Sequence, residues 1–113
     1  MAPRDTNADG TIFGGVILSL MDQAGYVEAM RQKHGRYVTV AFREVEFRQP
    51  VYVGDVLSLY AHATRVGTTS LTINVRVCAC RRRDADQTVN VTEGELVFVS
   101  VDEQARPKPL FGD

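Results

Sequence analysis

The spacing of apolar residues changes once along this chain, at Gly35, from a helical period to a period of two. Before Gly35, apolar residues recur at helical spacing from about Val16 to Lys33, which predicts one helix. After it, alternating apolar stretches continue to about Val101, with turn residues between them. The sequence therefore predicts an α+β protein, with an N-terminal loop, one helix and then four antiparallel strands.

The predicted helix has little polar surface. Leu18 and Tyr26 extend its apolar coverage almost all the way round, so we expect a buried helix. Only its C-terminal end, which includes Glu28, is polar enough to face water. A sheet that covers such a helix has to curl around it, and this arrangement resembles the hotdog fold.

Four extended stretches follow the helix, at Tyr37–Val51, Val56–Val66, Leu71–Cys80 and Thr88–Val101. In the first of them the apolar phase slips near Arg43-Glu44, which predicts a β-bulge. One helix and four strands leave a sheet edge open. Pairing such edges across a dimer is the usual protection, so we expect a homo-oligomer.

Length and composition limit the function classes. A chain of 113 residues predicts a single domain, spanning 1–113. Thirteen basic and fourteen acidic residues give a net charge of −1, which argues against nucleic-acid binding. No stretch approaches the ~18 apolar residues that span a membrane, and no secretory signal precedes the loop. Cys78 and Cys80 form no disulfide framework, so a cytoplasmic protein is expected.

Asp22 is the first candidate for chemistry. It lies in mid-helix between Met21 and Ala24, where a carboxylate costs free energy unless it is paired, hydrogen-bonded or at an opening. The alternative is that Asp22 lies on one solvated strip of the helix beside Ser19. The residue pattern alone leaves these two interpretations equally open.

Phe13-Gly14-Gly15 precedes the helix. Two glycines allow a ligand to approach the backbone, and a helix N-terminus offers N–H donors that can stabilise an oxyanion. The alternative is an ordinary tight turn into the helix. Asp5-Thr6-Asn7 supplies further polar side chains, which an Asx-type turn would also explain. The chain has no GxxxxGK[ST] pattern, so it is not a P-loop nucleotide hydrolase.

Two further groups of residues invite a binding role. The turn Gly67-Thr68-Thr69-Ser70 is rich in hydroxyls, and Arg81-Arg82-Arg83 is a run of three positive charges, so together they could hold phosphates at the sheet edge. A solvated hairpin end is the alternative. His34 and His62 show no metal-site spacing with the two cysteines, so no metal is expected.

Several motifs together carry a family resemblance. The first two are Asp5-Thr6-Asn7-x-x-Gly10-x-x-Phe13-Gly14-Gly15 and Ser19-x-Met21-Asp22-x-Ala24-Gly25. Four more follow in order: His34-Gly35-Arg36-x-Val38-Thr39-Val40, Pro50-Val51-x-Val53-Gly54-Asp55-Val56, Val66-Gly67-Thr68-Thr69-Ser70 and Val99-x-Val101-Asp102. Over nearly its whole length the chain resembles hotdog-fold acyl-CoA thioesterases of the bacterial YciA type and the related mammalian acyl-CoA hydrolases.

The resemblance implies hydrolysis of short- to medium-chain acyl-CoA to free acid and CoA, at a dimer interface and without a cofactor, CoA being part of the substrate. It implies that Asp22 is the catalytic carboxylate, with Asn7 as its partner. Gly14 and Gly15 would bring the thioester carbonyl to the helix N-terminus. Substrate contacts would come from Phe13, Gly67, Thr68, Thr69, Ser70, Arg82 and Arg83, and a trimer of dimers, a hexamer, is the implied assembly.

The family normally has a strand before the Asp-x-Asn loop, and here only Met1–Arg4 precede that loop, so we expect either a shortened chain or a missing edge strand. Such a loss would weaken one sheet edge. Two other functions stay open on the residues: a non-catalytic acyl-CoA sensor and, ranked last, a hotdog enoyl-CoA hydratase. A hydratase needs a His–carboxylate pair, and neither histidine is near the glycine turn in sequence.

Overall fold

The computed structural model describes residues 11–12, 14–81 and 87–111. Helix α1 spans Gly14–Gln32, and four strands follow it, β1 (Arg36–Phe47), β2 (Val56–Val66), β3 (Ser70–Cys80) and β4 (Thr88–Val101). The predicted order of one helix and four strands is confirmed, and the helix begins two residues earlier than predicted. Asn7, Phe13, Arg82 and Arg83 lie outside the described residues.

All described strands form one antiparallel sheet in the order β1-β4-β3-β2. β2, β3 and β4 are neighbours in sequence order, whereas β1 pairs with the last strand. The two edges of the sheet are therefore β1, which follows the helix directly, and β2. Among the described strands, β1 and β2 each pair with one neighbour, which agrees with the open edge that the strand count predicts.

The core lies between α1 and one face of the sheet. On β3 the alternating residues Leu71, Ile73, Val75, Val77 and Ala79 are all fully buried, which confirms the alternation predicted for this strand. Leu96 and Phe98 of β4 extend this apolar layer under the helix. The helix contributes Ile17, Met21, Gly25 and Ala29, whose spacing places them on one face.

The prediction of a helix buried all round is wrong for the single chain. Tyr26 is 41% exposed and Val27 is 59% exposed. The reason is geometric, because one four-stranded sheet covers only one side of a helix. The apolar residues on the uncovered side indicate that this side needs another partner.

Glu28 corrects a second expectation, since it is 6% exposed and not solvated. It follows Gly25 by three positions, so helix geometry turns its carboxylate toward the sheet. Arg31 donates to it at 2.6 Å and Gln32 at 2.9 Å, and both donors come from the next turn of α1. These local donors offset the cost of burying the charge.

The predicted bulge in β1 is confirmed. The pairing with β4 slips between Arg43 and Glu46, and Glu44 has a φ of 52°. Gly94 lies opposite the bulge, where an added Cβ would come within 2.7 Å of Val45 Cγ2 and 3.1 Å of its Cα. The bulge therefore requires a residue without a side chain at position 94.

Gly94→Ala is expected to lower the free energy of unfolding by about 2 kcal/mol, because the added methyl overpacks against backbone that cannot simply rotate away. Gly35→Ala is the matched control, since nothing lies within 4 Å of a Cβ at that position. Urea unfolding at one fixed protein concentration measures both variants. Equal midpoints for the two would contradict the close approach at the bulge.

Candidate functional site

The start of α1 forms one wall of a cavity. Gly14 begins the helix, and a Cβ on it would lie 3.3 Å from Phe47 Cζ, so this glycine allows the helix to begin close to the end of β1. Just before the helix, the Ile12 N–H donates to the Val51 carbonyl at 2.8 Å. These contacts fix the helix N-terminus, where the first N–H groups have no partner inside the helix.

The cavity has a volume of about 310 Å³. Gly14 and Ile17 line it from the helix, whereas Phe47, Val51 and Thr92 line it from the sheet and the loop after β1. Its walls are mixed, since Arg48 and Gln49 also line it, and the positive end of the helix dipole lies at its rim. Such a site suits an apolar group attached to an oxygen that carries developing negative charge.

Asp22 lies two turns further along α1. It is half-buried, and the Thr39 hydroxyl donates to Asp22 Oδ1 at 2.5 Å. Ser19, its proposed companion on a solvated strip, is exposed. A tertiary hydrogen bond therefore holds Asp22 against edge strand β1. The alternative interpretation, in which Asp22 simply faces solvent beside Ser19, does not account for this bond.

Thr39 is the residue that the sequence reasoning missed as a partner of Asp22. It lies within a motif that carries the family resemblance, but nothing in its local pattern assigns it a role. The hydrogen bond spans 17 positions and depends on how the chain reverses after the helix. Only the packing of β1 against α1 reveals it.

Exposed aromatic surface lies one helical turn from Asp22, on the uncovered side of α1. Tyr26 packs edge-on against Tyr37, with ring centroids 6.4 Å apart. Burial, with a smaller effect of Tyr26, raises the pKa of Tyr37, whose neutral hydroxyl donates to the Lys33 carbonyl at 2.5 Å. Along β1, Val38 and Val40 are also exposed, but they alternate with Thr39 and so lie on the face of the sheet turned away from Asp22. The half-buried carboxylate thus lies between Tyr26 and β1, an outermost strand of the described sheet.

Gly15 and Asp22 share one face of α1, because seven residues are close to two helical turns. The same spacing separates their backbones by about 10 Å along the helix axis. Within one chain, the helix N-terminus and the Asp22 carboxylate cannot both contact the same carbonyl group directly.

The turn Gly67–Ser70 and Arg81, the described residue of the arginine run, lie at opposite ends of β3. Ser70 begins the strand and Arg81 follows it, so about 36 Å of extended chain separates them. Within a single chain, the prediction that the turn and Arg81 act together at one place is wrong, whereas Arg82 and Arg83 lie outside the described residues. A contact between each of them and a ligand stays a prediction.

Both groups are engaged in the fold. The carbonyls of Thr68 and Thr69 accept hydrogen bonds from the N–H groups of Leu110 and Ser100, at 2.9 and 2.7 Å. Arg81 donates to Asp55 at 2.6 Å and to the Pro50 carbonyl at 3.0 Å. Its guanidinium also lies 5.1 Å from the centre of the Tyr52 ring. Arg81 thus fastens the loop between β1 and β2.

In the part of the chain that is described, the histidines and cysteines are not arranged as a metal site. His34 and His62 are both exposed. Among residues 11–12, 14–81 and 87–111, no three His, Cys, Asp or Glu side chains are grouped so as to hold a metal ion. Within the described residues, no helix combines the length and the apolar character needed to cross a membrane.

Comparison with known proteins agrees with this geometry. Residues 9–85 match the model of the thioesterase superfamily. The chain is 42% identical over 110 residues to the acyl-CoA thioester hydrolase YciA of Salmonella typhimurium, covering 96% of this chain and 83% of the relative. The similarity therefore extends through the helix, all four strands and the loops between them.

Solved structures give the same result for the fold. A hexameric thioesterase from Yersinia pestis superposes with a TM-score of 0.91 at 38% identity, covering 98% of this chain and 90% of the other. A hexameric hotdog fold thioesterase of Campylobacter jejuni gives a TM-score of 0.89 at 38% identity, covering 96% and 84%. The arrangement of one helix on a four-stranded antiparallel sheet is the hotdog fold.

Proposed function

Since this chain belongs to the hotdog thioesterase superfamily and is an acyl-CoA thioester hydrolase, we propose that it cleaves short- to medium-chain acyl-CoA with Asp22 as the catalytic carboxylate. The observation that carries this proposal is the Thr39–Asp22 hydrogen bond, which holds a half-buried carboxylate against the edge strand β1 of the described sheet. Among the described residues, Thr39 donates to one carboxylate oxygen, and the other oxygen would act on the thioester.

Two routes are open to this carboxylate. As a general base, Asp22 takes a proton from water while the water oxygen attacks the thioester carbon. As a nucleophile, it attacks that carbon itself, and water then cleaves the resulting anhydride. In both routes the C–S bond breaks, CoA leaves as a thiolate that is protonated, and the acid is released. The oxyanion formed on the way requires N–H donors, which a helix N-terminus supplies.

The separation of Gly15 from Asp22 supports a site shared between two protomers. If the carbonyl lies beside Asp22, the helix N-terminus that holds its oxygen has to come from a second copy. Two helices packed antiparallel across a two-fold axis bring the glycine turn of one toward Asp22 of the other. The exposed apolar residues of β1 and the uncovered side of α1 are the surfaces that such a dimer would bury.

The assembly that we propose is a homohexamer built from such dimers, as the two solved relatives are named hexameric. Asn7 and Phe13, which the family resemblance places beside Asp22 and the glycine turn, would complete the site. We propose contacts with CoA for Gly67, Thr68, Thr69 and Ser70, and also for Arg82 and Arg83, which lie outside the described residues. CoA enters and leaves as substrate and product, so no cofactor takes part.

The test of the function is CoA release, measured with a thiol reagent across an acyl-CoA series from acetyl to palmitoyl. We expect turnover to be greatest for short and medium chains, because the cavity at the helix start is about 310 Å³. Binding of acyl-CoA without release would indicate the sensor function instead. Hydration of an enoyl-CoA without hydrolysis would indicate a hydratase.

Thr39→Val is expected to lower kcat about tenfold with little change in KM, because the hydroxyl orients Asp22 and does not bind the substrate. Thr39→Ser keeps a hydroxyl at this position and should restore most of the rate. Steady-state kinetics on one good substrate distinguish the two variants. Loss of activity in both, or in neither, would contradict an orienting role for the hydroxyl.

A further inference from the structure

The chain turns back after β4, and its C-terminal tail (residues 102–111) lies against the Gly67–Ser70 turn. The Lys108 N–H donates to the Ser100 carbonyl at 2.8 Å, and the Leu110 N–H donates to the Thr68 carbonyl at 2.9 Å. The Leu110 side chain is 3% exposed and belongs to the hydrophobic core. The tail is therefore anchored in the core at the residue that bonds the turn.

Asp102 closes the reversal that directs the tail back to this place. Its Oδ1 accepts the N–H of Gln104 at 2.9 Å and the N–H of Arg106 at 3.0 Å. Its own N–H donates to the Arg106 carbonyl at 2.8 Å. The path of the tail is thus fixed at both ends, by Asp102 at the reversal and by Leu110 in the core.

These hydrogen bonds fix the direction of two peptide groups in the turn. The Thr68 carbonyl points to the Leu110 N–H, and the Thr69 carbonyl points to the Ser100 N–H at 2.7 Å. In a planar trans peptide, the N–H of the next residue points the opposite way, so the N–H groups of Thr69 and Ser70 are directed away from the tail and β4. Successive N–H groups in a turn can bind an anion such as a phosphate.

The turn lies close enough to Asp22 for one CoA thioester to contact both. Thr39, the hydrogen-bond partner of Asp22, pairs with Phe98, and Phe98 pairs with Leu71, the residue after the turn. Two strand spacings, about 10 Å, therefore separate Thr39 from Leu71. In the proposed function the turn contacts CoA, and its hydroxyl and N–H groups suit the phosphates of CoA, not the acyl chain.

We infer that the C-terminal tail positions the Gly67–Ser70 turn for the phosphates of CoA, with Leu110 as the positioning residue. The inference rests on the proposed function and adds the part of the chain that controls affinity for the CoA group. The tail then acts on substrate binding and not on the chemical step at Asp22. Damage to the tail should raise KM and leave kcat unchanged.

The experiment compares butyryl-CoA with butyryl-pantetheine, which has the same thioester but no nucleotide phosphates, and a thiol reagent measures both products. Leu110→Ala is expected to raise KM for butyryl-CoA about tenfold with kcat unchanged, and to leave butyryl-pantetheine hydrolysis unchanged. Leu110→Met keeps most of the buried volume and should restore KM. Phe111→Ala is the matched control, because the next side chain along the tail is apolar but 57% exposed, and it should change neither substrate.

Asp102→Ala tests the same inference without a substitution in the core. It loosens the reversal, so KM for butyryl-CoA should rise about threefold, and the Kd for free CoA in a calorimetric titration should rise by the same factor. Thermal unfolding and the oligomeric state are measured for each variant. If Leu110→Ala does not assemble, Asp102→Ala decides. Equal slowing of both thioesters would overturn the inference, because the tail would then support the fold as a whole.

The remaining outcomes separate this inference from the function on which it rests. Unchanged KM and unchanged Kd for CoA in Leu110→Ala and Asp102→Ala would overturn the role of the tail and leave the hydrolase function intact. If the unaltered enzyme cleaves only butyryl-CoA, a rise in KM alone supports the inference and a fall in kcat overturns it. No release from either thioester by the unaltered enzyme would overturn the proposed hydrolysis and this inference together.

Discussion

Asp22→Asn should reduce kcat for the best acyl-CoA substrate by about a thousandfold and leave the oligomer intact. The amide has nearly the same shape as the carboxylate, and its oxygen can still accept the hydrogen bond from Thr39, so the packing of α1 against β1 is retained. An amide can neither take a proton from water nor attack as an anion. The chemical step is therefore lost while the structure is not.

The measurement is CoA release, with size-exclusion chromatography to establish the assembly. Glu103→Gln serves as the control, because it is the analogous exchange of a carboxylate for an amide at an exposed position of the C-terminal turn. It should retain full activity. An Asp22→Asn enzyme within a few-fold of the unaltered one would rule out Asp22 as the catalytic carboxylate.

Asp55→Ala should lower the free energy of unfolding by about 3 kcal/mol, the largest stability effect expected outside the core. The side chain of Asp55 is 2% exposed and that of its partner Arg81 is 15% exposed. Besides the ion pair, Asp55 accepts the N–H of Tyr52 at 2.9 Å. Its removal leaves a guanidinium in a mostly buried position, with the Pro50 carbonyl as its remaining acceptor among the contacts described above.

Glu46→Ala is the matched control for this loss. Glu46 also pairs with an arginine, Arg48 at 3.3 Å, but both side chains are largely exposed, so its removal should cost less than about 1 kcal/mol. Denaturant unfolding of both variants, at equal protein concentration, gives the comparison. If Asp55→Ala and Glu46→Ala lowered the free energy of unfolding by similar amounts, burial would not strengthen the Arg81–Asp55 ion pair.

The elements of this fold follow closely from local pattern, because each is specified by residues that are neighbours in sequence. The alternation on β3 and the slip at Glu44 are visible along a single stretch of chain. The charge of Glu28 predicts a solvated side chain, whereas its position three residues after Gly25 puts it on the buried face of α1. The buried position is tolerated because Arg31 neutralises the carboxylate and Gln32 donates a hydrogen bond to it.

The site was less predictable than the fold, because its contacts join residues far apart in the chain. The sequence motifs indicate Asp22 and the glycine turn. The contact of Asp22 with Thr39, in contrast, is visible only from the way β1 packs against α1. The turn Gly67–Ser70 and Arg81 do not form a joint phosphate site within one chain. The two are only about eleven residues apart in sequence, but the extended strand β3 lies between them and keeps them far apart in space.

The position of β1 in the sheet also bears on how firmly Asp22 is held. β2 pairs with β3 and β3 with β4, each with its successor, whereas β1 meets β4 only when distant parts of the chain come together, with Arg36 beside Val101. Of the strand pairings described, this one closes the longest loop and so has the largest loop-closure entropy cost. Because Thr39 lies on this strand, we expect amide hydrogen exchange along β1 to report how long Asp22 keeps its hydrogen-bond partner.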